Sequence, residues 1–154
     1  MKQRKSNKLI IPITILLAVL LAGGIYISLN YGGVISISGC DGDNCVARVI
    51  DGDTFVLEDN STIRLICVDA PEEGDLGYEE ARDFLASLIK DMNVRLEKDN
   101  SDKDAYGRLL RYAYVNNSWG NEVFVNRALV SAEYADVWRF APDTKRCDEI
   151  AGLD

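Results

Sequence analysis

Histidine is missing from all 154 residues. That removes imidazole as a general base, as the middle member of a Ser-His-Asp triad and as a zinc ligand. Acid–base chemistry is left to carboxylates, Lys, Tyr, Cys or metal-bound water. The four cysteines (Cys40, Cys45, Cys67, Cys147) form no CxxC pair, which argues against a thiolate zinc site. The chain also lacks internal repeats and low-complexity tracts. Positive charge is scarce where a nucleic-acid binder would want it. The first 40 residues hold Lys2, Arg4, Lys5 and Lys8 and no acid, which leaves 13 basic against 25 acidic side chains, a net charge of −12, for residues 41–154. Sequence-independent binding to a polyanion normally uses a basic surface. A nucleic-acid partner would therefore require local cations or an imported metal ion.

What is present begins with a basic segment, residues 1–8, followed by Leu9 to Leu29, 21 residues without a charge. About 20 apolar residues span a bilayer as a helix. The basic flank places the amino terminus in the cytoplasm and the acidic remainder outside. A single-pass anchor over 9–29 is the leading expectation. A cleaved signal peptide and a lipoprotein ending at Ile37-Ser38-Gly39-Cys40 are the alternatives, giving a secreted or lipid-anchored protein. Residues 30–44 read as a linker and residues 45–154 as one domain, large enough for a real core.

Within that domain, β-rich runs cover Val46 to Ile50 and Thr54 to Glu58, split by Asp51-Gly52-Asp53. Further strands are expected over Thr62 to Val68, Val94 to Lys98 and Leu109 to Val115. Ala81, Phe84, Leu85, Leu88 and Ile89 form one apolar stripe and predict a helix from about Tyr78 to Lys90. A second, shorter helix is expected over Val123 to Ala132. The expected class is α+β, mainly β: a small closed five-stranded sheet with one clear and one short helix packed on it.

Three clusters hold the chemistry. They are Asp51-Gly52-Asp53-Thr54, then Arg64 through Asp69-Ala70-Pro71-Glu72, then Asp104-Ala105-Tyr106-Gly107-Arg108. Each alone has a plain reading as a turn, a solvated loop or a surface ion pair. Together they suit phosphodiester hydrolysis, which requires charge neutralisation on phosphoryl oxygens and an activated water. Arg64 and Arg108 could clamp one phosphate, since guanidinium pairs two phosphate oxygens at once. Asp53 and Asp69 suit a hard divalent cation, and Ca²⁺ tolerates an irregular oxygen shell better than Mg²⁺. Glu72 could act as base toward a water.

The ordered runs Val49 to Thr54, Ile63 to Glu72 and Asp104 to Leu109 resemble the signature segments of the thermonuclease (staphylococcal-nuclease-like) family. Val125 to Val130 resembles that family's short second helix. The resemblance implies an OB-fold barrel and Ca²⁺-dependent hydrolysis of DNA and RNA to 3′-phosphorylated products, with single-stranded or unpaired substrate favoured. It implies Arg64, Glu72 and Arg108 as the catalytic three. Asp53, Asp69 and the Ala70 backbone carbonyl correspond to the Ca²⁺ ligands, and Asp51 to a secondary site acid. Tyr106 corresponds to a substrate-phosphate contact, while Trp138 and Phe140 stand where nucleotide-stacking tyrosines can occur. Two departures accompany it: Ala105 replaces the usual lysine, and only about a dozen residues follow Pro142, so the family's long final helix is missing. A monomer is expected. The competing functional reading is a catalytically silent OB-fold module that binds nucleic acid or protein at the membrane surface.

Exported cysteines tend to pair. Cys147 is expected to bond Cys45, or else Cys40, tying the carboxyl end to the first strand. Cys67, in an apolar run, is expected to be a buried free thiol.

Overall fold

The computed structural model describes Cys40 and residues 42–153. The expected basic segment, anchor and most of the linker lie outside the described residues. Among the described residues no helix is long and apolar enough to cross a membrane.

Eight short strands and three helices follow one another in the described chain. The strands β1 (Val46–Val49), β2 (Thr54–Leu57) and β3 (Thr62–Leu65) form an antiparallel meander. Its second turn is set by Asp59, whose carboxylate accepts the Ser61 N–H at 2.8 Å and the Ser61 hydroxyl at 2.9 Å. Asn60 between them takes φ 67°, a left-handed conformation that Asn adopts more readily than most residues. Two-residue β4 (Val68–Asp69) follows, then helix α1 (Tyr78–Ile89), β5 (Val94–Glu97) and the long β6 (Leu109–Asn116). A hairpin leads into β7 (Glu122–Phe124) and helix α2 (Val125–Ser131). Last come β8 (Asp136–Val137) and the one-turn helix α3 (Cys147–Ile150).

β6 pairs parallel with β3 and antiparallel with β5, giving the order β1-β2-β3-β6-β5. The ends of this sheet then meet. Cys45 bridges Asn93, the Val46 N–H donates to the Met92 carbonyl at 3.0 Å, and the Val94 N–H donates to Asn44 at 3.0 Å. The result is a closed five-stranded barrel of OB type, with β7 added to β6 outside the closure.

Period-two patterning explains the interior. Ile63 and Leu65 are buried while Thr62 and Arg64 face outward. Val46, Phe55, Val94, Ala113 and Val115 join them, and Ala81, Leu85 and Ile89 of α1 and Val125 and Leu129 of α2 cap the packing. Each of the Val, Leu, Ile and Phe side chains contributes about 1.5–3 kcal/mol by leaving water. The 3.6-residue stripe of α1 thus does what its spacing predicts, with Phe84 stacked on Tyr134 at 4.4 Å.

The outer face of β6 is also buried. Tyr112 and Tyr114 pack with Ile66, Cys67, Cys147 and Ile150 in a second apolar cluster. The carboxyl-terminal segment therefore covers this face. It is sewn down by polar contacts as well. Asp99 accepts from the Tyr112 hydroxyl at 2.8 Å and the Lys145 N–H at 3.0 Å, and buried Asp143 accepts from the Ser101 N–H at 2.7 Å. Burial pushes the Tyr112 hydroxyl well above its ordinary value, with the Asp99 carboxylate beside it acting in the same direction.

The cysteine expectation is corrected here. Cys67 bonds Cys147, and Cys40 bonds Cys45. Cys67 is no free thiol, and the carboxyl end is tied to the β3–β4 turn, not to the first strand. The reason is local. Cys45 opens β1 and is held against Asn93 at barrel closure, whereas Cys67 sits at φ 61° in a turn beside Tyr112. Only the latter lies beneath α3.

Candidate active site

The β1–β2 turn is the first piece. Asp51 Oδ1 accepts the Asp53 N–H at 3.0 Å, closing an Asx-type turn. Gly52 at its tip is demanded by space: a Cβ there would lie 2.6 Å from the Ala70 Cβ and 2.7 Å from the Ala81 Cβ. The turn is thereby wedged between α1 and the residue after β4, which aims Asp53 inward.

Asp53 is 4% exposed. Its Oδ1 accepts the Thr54 hydroxyl at 2.9 Å, and its Oδ2 accepts the Ala70 N–H at 3.0 Å. The Arg64 guanidinium approaches the same Oδ2 at 2.9 Å and reaches Asp69 Oδ1 at 3.3 Å. Arg64 Nη1 also donates to the carbonyls of Leu65 at 3.0 Å and Val68 at 2.6 Å. One planar fork thus organises two carboxylates and the turn after β3, a task for which an ammonium would lack the donors. Burial pushes the Asp53 carboxyl up to about 7, against the Arg64 charge and the Ala70 and Thr54 hydrogen bonds; the Asp51 charge adds to the rise. A carboxylate this costly to ionise is one whose charge the fold leaves incompletely compensated.

The second piece lies at the foot of β6. Asp104 Oδ1 accepts the backbone N–H groups of Tyr106 and Arg108, each at 2.9 Å, and its Oδ2 accepts Arg108 Nε at 2.6 Å. Burial pushes the Asp104 carboxyl up, but the Arg108 and Tyr106 hydrogen bonds outweigh it, and the net shift is downward. The Arg108 guanidinium sits 5.5 Å from the centre of the Tyr106 ring, which is 86% exposed. Parallel pairing of Ile63 with Leu109 and Arg64 with Leu110 places this loop beside the start of β3, one strand from the Asp53–Arg64–Asp69 cluster.

The structure therefore brings Asp51, Asp53, Arg64, Asp69 and Ala70 together, and Arg108 with Tyr106. Glu72 is exposed, lies three residues beyond Asp69 and makes no ion pair among the described residues. Trp138 follows β8, whose Asp136 pairs with Asp69, and its N–H donates to the Cys67 carbonyl at 3.3 Å. Trp138 is 53% exposed and Phe140 69% exposed. Both are free to stack and neither is core.

Three residues important here had no role of their own assigned from the sequence, although Thr54 and Asp104 lie in its clusters. Thr54 and Asp104 orient Asp53 and Arg108, and buried Asn126 clamps the strands behind them. Its Oδ1 accepts the Ala113 N–H at 2.9 Å, and its Nδ2 donates to the Ile66 carbonyl at 2.9 Å. The i,i+4 spacing of Asp104 and Arg108 was the available signal for one of them.

The donor set suits a hard divalent cation: Asp53 and Asp69 offer carboxylate oxygens, with no sulfur or imidazole nearby. No cluster of three or more acidic, histidine or cysteine side chains converges on one point among the described residues. Backbone carbonyls and water would complete any coordination shell.

Comparison with known proteins identifies the family. The family model described as staphylococcal nuclease homologue matches residues 62–152. Thermonucleases of Staphylococcus hyicus and Staphylococcus intermedius are 35% and 33% identical over 98 residues, 58% of this chain and 58% of each relative. Endonuclease YncB of Bacillus subtilis (strain 168) is 32% identical over 113 residues, 67% of this chain and 52% of that protein. The chain spans little more than half the length of these relatives. With more than half of its residues matched by the family model, on a barrel of OB type, the chain belongs to the staphylococcal nuclease family.

Proposed function

We propose that the chain is a Ca²⁺-dependent nuclease that hydrolyses DNA and RNA phosphodiesters to 3′-phosphorylated products outside the cytoplasm, tethered through residues 9–29. The observation that carries the reading is the Arg64 fork shared by Asp53 and Asp69 beneath a second, separately anchored arginine, Arg108. The thermonuclease and endonuclease relatives support it.

The ion would be held by the Asp53 and Asp69 carboxylates and the Ala70 carbonyl. When bound it supplies Lewis-acid polarisation of a phosphoryl oxygen. The chain's own residues do the rest. Arg64 and Arg108 hold the remaining phosphoryl oxygens and offset the charge that builds on them. Asp104 fixes the plane of the Arg108 fork, so little ordering is left for the moment of reaction. Glu72, exposed and unpaired, takes a proton from the attacking water. The water oxygen bonds to phosphorus, the bond from phosphorus to the 5′ oxygen breaks, and the 5′ oxygen takes a proton from solvent water to leave as a hydroxyl, while Glu72 releases its proton to solvent. A chain of net charge −8 gains nothing from long-range attraction of a polyanion, so binding leans on these local cations and on the ion.

End-labelled single-stranded DNA tests the reading. Cleavage by the full chain in Ca²⁺ yields fragments whose 3′ ends resist enzymatic tailing until a phosphatase is added. Glu72→Gln lowers kcat by about 10²–10⁴-fold, the ordinary worth of a general base. Fragments with free 3′ hydroxyls, or full activity in the Gln variant, would overturn it. Protease accessibility of the domain in intact cells checks the location.

A further inference from the structure

The two-stranded ribbon beside the site sets two acids against each other. In the antiparallel pair β4–β8, Val68 faces Val137 and Asp69 faces Asp136. Directly opposed residues leave such a ribbon on one face, with Cβ atoms about 5 Å apart. Burial follows that alternation. Val68 and Val137 turn toward apolar clusters, while Asp69 is half-buried and Asp136 exposed on the other face.

Like charges set opposite each other destabilise a strand pair, and no cation is left to offset the second one. The Arg64 fork is taken up by Asp53, Asp69 and the carbonyls of Leu65 and Val68. Arg139, three residues beyond Asp136, pairs with Asp148 at 2.7 Å. Asp136 itself makes no ion pair among the described residues. Asp53, Asp69 and Asp136 therefore share one guanidinium, a formal excess of two negative charges and the complement of one divalent cation.

We propose that Asp136 is an outer carboxylate of the cation site, drawing a divalent ion to Asp53 and Asp69 across an intervening water. The three acids do not converge on one point, so its action is through charge and not through direct ligation. The inference deepens the Ca²⁺ reading and rests on it. Asp136 costs stability when the ion is absent and favours the ion-bound chain, so its removal has effects of opposite sign in the two states.

Thermal melts of the full chain test this, in chelator and across a Ca²⁺ series, for the parent, Asp136→Asn and Glu58→Gln. Glu58 is an exposed acid at the far end of β2 from Asp53, and its substitution removes the same charge. In chelator, Asp136→Asn melts about 1–4 °C above the parent, because the repulsion is gone. Its Ca²⁺ affinity, read from the rise of Tm with Ca²⁺, falls about three- to tenfold, the effect of one nearby charge on a divalent ion in a water-like surrounding. That loss shrinks at high salt, as an outer charge requires. Glu58→Gln shows neither change. A purely structural role for Asp136 would lower Tm in chelator and leave Ca²⁺ affinity alone. A parent whose Tm ignores Ca²⁺ defeats the cation reading of the site, and the role of Asp136 with it. A parent that responds to Ca²⁺, beside an Asp136→Asn variant of unchanged affinity or one that behaves as Glu58→Gln does, overturns the role of Asp136 alone.

Discussion

The Cys67–Cys147 bond should dominate the stability of the domain, and its contribution can be worked from topology. It joins residues 80 apart, whereas Cys40–Cys45 joins residues only 5 apart. In the chain-entropy treatment, closing a loop of that length restrains the unfolded chain by about 4.5 kcal/mol, against about 2 kcal/mol for the short loop. All four cysteines are buried, so the packing lost with the sulfurs is similar for the two pairs and the loop term decides the difference. For a domain of this size each kcal/mol shifts Tm by about 4 °C. Circular dichroism melts of the paired variants Cys67→Ala/Cys147→Ala and Cys40→Ala/Cys45→Ala should therefore differ, with the first lower by roughly 10 °C or more. Equal melting, or a lower Tm for the Cys40/Cys45 pair, would refute the reasoning and with it the assignment of the carboxyl-terminal strap to the β3–β4 turn.

Further outcomes follow from single contacts. Gly52→Ala forces a methyl group against Ala70 and Ala81 and should cost about 1–3 kcal/mol in urea unfolding; an unchanged midpoint would show that the turn is not wedged. Asn126→Ala leaves the buried Ala113 N–H without its acceptor and should cost about 1–3 kcal/mol in urea unfolding; an unchanged midpoint would show that the clamp carries no stability. Asp104 titrates below the ordinary 3.8, so its contribution to stability is present above that value and lost as pH falls through its lower, folded value. In Arg108→Ala the Asp104 titration, followed by NMR, moves upward and acid unfolding begins at higher pH; no movement would mean the pair is not formed in solution.

The sequence made some of this legible and hid the rest for identifiable reasons. Strands at Val46, Thr54, Thr62, Val94 and Leu109 were readable because one face of each enters a common core, so alternation or an apolar run marks them. Helix α1 was readable from its stripe and ends at Ile89, one residue short of expectation, with Lys90 as its cap. The expected second helix begins two residues late, at Val125, because Glu122–Phe124 pairs with the end of β6 as β7. Strands β4 and β8, two residues each, carry no periodicity at all, and α3 is a single turn. Disulfide connectivity lies beyond sequence reasoning, since four cysteines allow three pairings. Cys67 read as a buried thiol because its neighbours are apolar; burial was right, but the partner beneath it comes from a distant segment. The association of Asp53, Arg64 and Asp69 was legible because carboxylates and arginines together suit phosphodiester hydrolysis and fall in segments that resemble the family's signature runs. The role of Asn126 was not, since a single buried amide in a short helix has no pattern of its own.

The central claim is a metal-assisted phosphodiesterase built on Asp53, Asp69, Arg64, Glu72 and Arg108. Its most direct test is cleavage of single-stranded DNA by the full chain in Ca²⁺, in Mg²⁺ and in chelator, beside Asp69→Asn. The account predicts activity in Ca²⁺, little in Mg²⁺, none in chelator and a requirement for raised Ca²⁺ in the variant. Cleavage that persists in chelator, or an Asp69→Asn variant with unaltered Ca²⁺ dependence, would contradict it.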